Sequence, residues 1–157
     1  DFDNETRENQ TTTETVKPDL SSWTVFNSSS AWVSADLGTS SKTIRELTNI
    51  RVTFSEAMDT TTVTANSDNT SCSGSIQVTL STQNFGTCIQ MTANDPTTSD
   101  NVTFEVNPAS ALANINAKYY IKVLAGVKDM SGNSKSDDNV TSNGFVTCKY
   151  AVGVGCE

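Results

Sequence analysis

The sequence predicts an all-β protein, an antiparallel β-sandwich of about seven short strands and roughly immunoglobulin size. Three observations carry this: 157 residues suit one domain with a real core, apolar residues alternate with polar ones along most of the chain, and Gly, Asn, Asp and Ser punctuate the alternating runs. Helical periodicity is confined to two short pieces, "SEAMDTTTV" and "AGVKDMSGN", each long enough for one turn.

Residues 1–20, "DFDNETRENQTTTETVKPDL", hold too little apolar surface to offset the entropy of ordering and read as a flexible leader or linker. The opening acidic run is similar to a calcium loop, but Thr6 and Thr12 stand where an EF-hand needs Gly and Glu. Residues 21–157 read as a single domain. Its first strand is expected at residues 23–26 or at residues 31–33. Ile50, Val52 and Phe54 alternate with Arg51 and Thr53, Ile76, Val78 and Leu80 with Gln77 and Thr79, and Val102, Phe104 and Val106 with Thr103 and Glu105. Residues 88–91, with Ile89 and Met91 inward, form a further expected strand. Tyr119, Ile121 and Val123 face inward against Tyr120 and Lys122, and "GFVTC" ends the series.

Composition excludes several functions. Ten basic against 18 acidic residues give a net charge of −8, the wrong sign for neutralising nucleic-acid phosphates or an anionic membrane surface. The chain has no histidine, which removes Ser-His-Asp and Cys-His catalysis and histidine metal ligation. Walker A, G-x-G-x-x-G, G-x-S-x-G and S-x-x-K motifs are absent. No apolar run is long enough to span a bilayer and no signal-peptide core stands at the start, so direct membrane insertion is not expected. Asp1 in place of methionine suggests a mature or trimmed chain.

The cysteines are Cys72, Cys88, Cys148 and Cys156; four allow three pairings. Nearness in sequence favours Cys72 with Cys88 and Cys148 with Cys156, and an even cysteine set on a Ser-, Thr- and Asn-rich background favours an extracytoplasmic location. The alternatives are reduced thiols in the cytosol or a scattered four-thiolate zinc site without C-x-x-C spacing.

Two acidic clusters invite functional readings. Glu56 and Asp59 follow the residue 50–54 strand, and as a general acid and base one of them would need to be desolvated beside a cleft. The favoured reading is a turn: Met58 drops into the core, Asp59 caps the "TTTV" amides, and Glu56 points to solvent near Arg51 or Lys118. In "KDMSGNSKSDDN", Asp129, Ser131, Asn133 and Asp137 could surround Ca²⁺ as a possible cofactor; the alternative is a turn in which Asp129 caps amides and Gly132 or Asn133 takes positive φ. Trp23 and Trp32 are core or interdomain packing, or else an exposed sugar-stacking surface. Tyr119 is expected as a corner tyrosine.

Two spaced blocks also resemble a known family. "IRVTFSEAMDTTTV" (residues 50–63) looks like the strand and V-T-F-S-E-x-M-D-x-x-T-V turn of bacterial Ig-like domains of the SbsA type, and "VNPASALANINAKYYIKVLAGVKDMSGNSKS" (residues 106–136) looks like their later strand and G-V-K-D-x-x-G-N turn. With "GFVTC" the resemblance covers roughly residues 28–148; the cysteine-flanked "CSGSIQVTLSTQNFGTC" and the tail "KYAVGVGCE" depart from the common pattern. The resemblance implies an immunoglobulin-like sandwich and a non-enzymatic module of a bacterial surface or secreted protein. Its partners would be neighbouring Ig-like domains or the parent surface protein, with adhesion to a host matrix protein or glycan, or service to a secreted hydrolase, as alternatives.

Overall fold

The computed structural model describes residues 14–38, 43–112 and 116–157. Of the leader expected over residues 1–20, residues 1–13, with their rejected calcium-loop pattern, lie outside the described residues. The described segment from Glu14 docks on the domain: Pro18 is buried, and Asp19 and Ser55 exchange two hydrogen bonds at 2.8 and 2.9 Å.

Two sheets enclose the core. The first has the order β2-β1-β4-β6, from Leu20–Phe26 (β1), Trp32–Ser34 (β2), Ile50–Phe54 (β4) and Thr103–Val106 (β6), all antiparallel. Both candidate first strands therefore exist, as the two arms of a hairpin. The second has the order β3-β9-β7-β5, from Ile44–Arg45 (β3), Ile76–Leu80 (β5), Lys118–Val123 (β7) and Phe145–Cys148 (β9). Asn139–Val140 (β8) adds to β7, and β3 joins β9 in parallel. Tyr150–Ala151 (β10) and Gly155–Cys156 (β11) form a separate hairpin in the tail. The immunoglobulin-like sandwich is thus present, with more and shorter strands than expected because edges and corners contribute two- and three-residue pieces.

Period-two alternation places the core. Ile50, Val52, Phe54, Phe104 and Val106 face Ile76, Val78, Ile121, Val123 and Phe145 across the sandwich, all buried. Phe54 meets Phe104 edge-on at 5.7 Å, and Tyr119, buried, stacks on Phe145 at 5.6 Å. Met58 is fully buried, as expected of the turn after β4.

Strand β5 departs from alternation, since Gln77 and Thr79 are buried as well. The loops on either side of it fold over its outer face: Gln77 Nε2 donates to the Gly74 carbonyl and Thr79 Oγ1 to the Thr87 carbonyl. Residues 88–91 are not a regular strand, which corrects that expectation. Their backbone partners are divided: the Ile89 N–H bonds to Val78 on β5, while the Ile89 carbonyl and the Met91 N–H bond to Asn66, so no continuous ladder can form.

One carboxylate locks the sandwich at its end. Asp36 accepts the N–H groups of Ser142, Asn143 and Gly144, and Gly38 N–H donates to the Gly144 carbonyl at 2.7 Å. The chain leaving β2 is thereby tied to the turn entering β9. Asp36→Ala leaves these amides to water or without partners, and chemical denaturation is expected to read a loss of about 2 kcal/mol, the scale of hydrogen bonds to a charged acceptor.

Candidate functional site

The two acidic clusters meet in space. Strand β4 ends at Phe54, and Asp59 then caps a 3₁₀ turn at Thr60–Thr62, accepting the Thr61 N–H at 3.0 Å and the Thr61 hydroxyl at 2.7 Å. Those bonds, the hydroxyl's first, hold the Asp59 carboxyl below its ordinary range. With its oxygen committed to a turn, Asp59 is not poised as an acid or base.

Glu56 does not pair with Arg51 or Lys118, which corrects that expectation; Arg51 is bonded to Glu105 at 2.8 Å. Glu56 instead lies with Glu14 and Asp129, one carboxylate oxygen from each within 4.8 Å of the others. Loss of water pushes its pKa up, and the charges of Glu14 and Asp129 push further in the same direction.

Asp129 is 2 % exposed and accepts the N–H groups of Ser131 and Asn133 and the Asn133 Nδ2, while Gly132 sits at φ +90°. Burial alone would raise its pKa, but the bonds from Asn133 and Ser131 outweigh it and the net direction is down. This is the capped turn that the sequence offered as the alternative to calcium. The structure groups Asp129 with Glu14 and Glu56 and not with Asp137, whose carbonyl receives the Lys135 ammonium. Glu14 entered no sequence argument, because nothing local marks a residue so distant along the chain as a neighbour of Asp129.

The sign of the linkage follows from Glu56. A carboxyl whose folded pKa lies above its unfolded value binds its proton more tightly when folded, so stability is lost as pH rises through the raised folded pKa and recovered on acidification toward the unfolded value. Glu56→Gln removes the penalty. Thermal melts are expected to show the variant more stable than the parent at pH 7, with the gain shrinking toward pH 4; an equal gain at both would exclude an electrostatic origin.

The tryptophans lie on opposite faces of one sheet. Trp23 shares the inward face of β1 with Val25 and packs against the core, whereas Trp32 faces outward on β2 opposite Phe26, their rings 5.3 Å apart. They do not form one surface. Trp32 joins a row of rings and cations: Arg51 stands 3.8 Å over it, and Arg45 stands 4.9 Å over Phe26 and 3.8 Å over Tyr150. Glu105 holds Arg51 through Oε2 and accepts Asn49 Nδ2 at 2.6 Å through Oε1.

Cys72–Cys88 and Cys148–Cys156 are disulfide-bonded, with Cα atoms 4.9 and 5.3 Å apart. Disulfides of this kind suit an extracellular or cell-surface setting. No helix among the described residues is long and apolar enough to cross a membrane. No curated protein matches the chain. A family model, the bacterial Ig-like domain, matches residues 27–147, which runs from the β1–β2 turn into β9 and takes in strands of both sheets, and the chain belongs to that family.

Proposed function

We propose that the chain is a non-catalytic structural module of a bacterial surface or secreted protein, one that spaces or displays the domains joined to it. Its immediate partners are then neighbouring Ig-like domains or the rest of the parent protein, and the role requires no cofactor. The observation that carries this reading is where the acidic side chains go. Asp36, Asp59, Asp68, Asp100 and Asp129 each accept backbone N–H groups in turns, so these five carboxylates shape loops. The absence of histidine and the membership in an Ig-like family agree with it.

A spacer is tested by distance. With the domain inserted between two fluorescent proteins, energy transfer and small-angle scattering should give one narrow separation that persists with salt. A broad distribution matching a Gly/Ser linker of equal length would defeat the spacer role, and turnover in a general hydrolase panel would defeat the non-catalytic one.

A further inference from the structure

The outer face of the β2-β1-β4-β6 sheet carries a shallow groove with two unlike halves. Phe26, Trp32 and the 72 % exposed Leu47 rim an apolar hollow of about 220 Å³. Arg51, Thr97 and Glu105 line a polar one of about 490 Å³, within the size range of small-ligand sites. Asn49 borders the apolar hollow, and Asn49, Thr97 and Glu105 all line a third hollow, so the three adjoin through shared residues.

Its walls are held in place before any ligand arrives. Glu105 fixes both Asn49 and Arg51, and the Arg51 guanidinium carbon stands 3.8 Å over the Trp32 ring, which is set against Phe26. The core requires none of this, because all these side chains stand on the solvent side of the sheet. Holding a guanidinium, a carboxylate and a carboxamide in fixed positions beside two half-buried rings lowers the ordering cost of binding.

We propose that this groove binds a neutral polysaccharide, with one sugar ring against Trp32 and Leu47 and the hydroxyls of the next bonded by Asn49, Glu105 and Arg51. The negative face of an aromatic ring attracts the positive C–H edges of a pyranose, and planar donors and acceptors match its vicinal hydroxyls. Charge selects against a polyanion, since Arg51 is compensated by Glu105 on a chain of net charge −8. A peptide strand adding to the sheet is disfavoured at this edge: Thr97 and Glu105 already exchange both backbone hydrogen bonds there, at 3.0 and 2.8 Å.

The test is native affinity electrophoresis of the whole domain in gels containing hydroxyethylcellulose, xylan, galactomannan or pullulan, with heparin and polygalacturonate as charged comparators. At least one neutral polymer is expected to retard the domain. The hexasaccharide of that polymer should shift the Trp32 indole and Asn49 carboxamide signals in nitrogen-15 NMR spectra. Leu47→Asp should weaken retardation at least tenfold with an unchanged melting temperature, because Leu47 contributes no core packing; Asn49→Ala should do the same from the polar half. The proposal is overturned if no neutral polymer retards the domain, if the charged polymers retard it equally, or if both variants bind like the parent. Such failure leaves the spacer role untouched, which is read from distance alone.

Discussion

Gly144→Ala is expected to destabilise the domain by about 4 kcal/mol, combining backbone strain with overpacking, each of which costs about 1–3 kcal/mol. Gly144 sits at φ +68°, a left-handed conformation that an L side chain adopts only at a cost. An added Cβ would also collide with the Tyr119 carbonyl oxygen and lie 3.0 Å from the Tyr120 ring. The Tyr119 carbonyl cannot yield easily. Tyr119 is buried in β7 and stacked on Phe145, and its backbone is paired with β5 and β9. Movement of Gly144 itself would break the Asp36 and Gly38 bonds that close this end of the sandwich. A fall in melting temperature of roughly 8–16 °C is expected for a domain of this size. Gly132→Ala is the internal control: its φ is +90°, but an added Cβ there meets nothing within 4 Å, so only the strain remains and the loss should be the smaller of the two. Equal losses would show that the collision with Tyr119 contributes nothing.

The strands that the sequence reveals best are those with one face on the core and one in water. Residues 50–54 and 118–123 alternate cleanly because β4 and β7 each have two distinct faces. Strand β5 is harder to read from its residues, since its polar Gln77 and Thr79 are buried by loops whose path no local pattern encodes. The tail hairpin was legible in principle: Gly153 and Gly155 at φ +84° and +94° mark the turn in "AVGVGC", and Cys148 and Cys156 staple its ends.

For the candidate sites, the turn roles of Asp59 and Asp129 follow from residue type and spacing, because Asx caps are local. The Glu14–Glu56–Asp129 cluster is not local and left no trace in the sequence. The tryptophans lie between these cases. Parity along β1 already puts Trp23 with Val25 and Phe26 on the other face, and the hairpin register opposes Phe26 to Trp32. Only the turn length at residues 27–31 was needed to separate the two rings, and Asn27 sets it by accepting the Ser29 and Ala31 N–H groups. The Asn49–Glu105–Arg51 network depends on the β4–β6 pairing, which brings Arg51 opposite Glu105 across the sheet.

Removal of the Cys72–Cys88 bridge, as the double variant Cys72→Ala with Cys88→Ala, is expected to cost about 3 kcal/mol and roughly 6–12 °C in melting temperature. In the chain-entropy account, a cross-link spanning 16 residues removes that much freedom from the unfolded chain. Its folded-state position adds a specific consequence. The bridge closes the loops that flank β5, where Asn66, fully buried, bonds through Nδ2 to the Asp68 and Ile89 carbonyls and accepts the Ser73 N–H. Without the bridge these loops can part and expose Asn66 and Thr79, so hydrogen exchange should accelerate at Ile89 and Phe85, whose N–H groups bond to β5, before it accelerates in β4. The Cys148–Cys156 bridge closes a shorter loop of separation 8 around a hairpin that belongs to neither sheet, with Val152 and Val154 exposed. Its removal should therefore free the tail while lowering the melting temperature less than loss of Cys72–Cys88. The ordering of the two variants is the decisive comparison: a larger fall for Cys148→Ala with Cys156→Ala would mean that the tail hairpin, and not the pair of loops around β5, holds the sandwich closed.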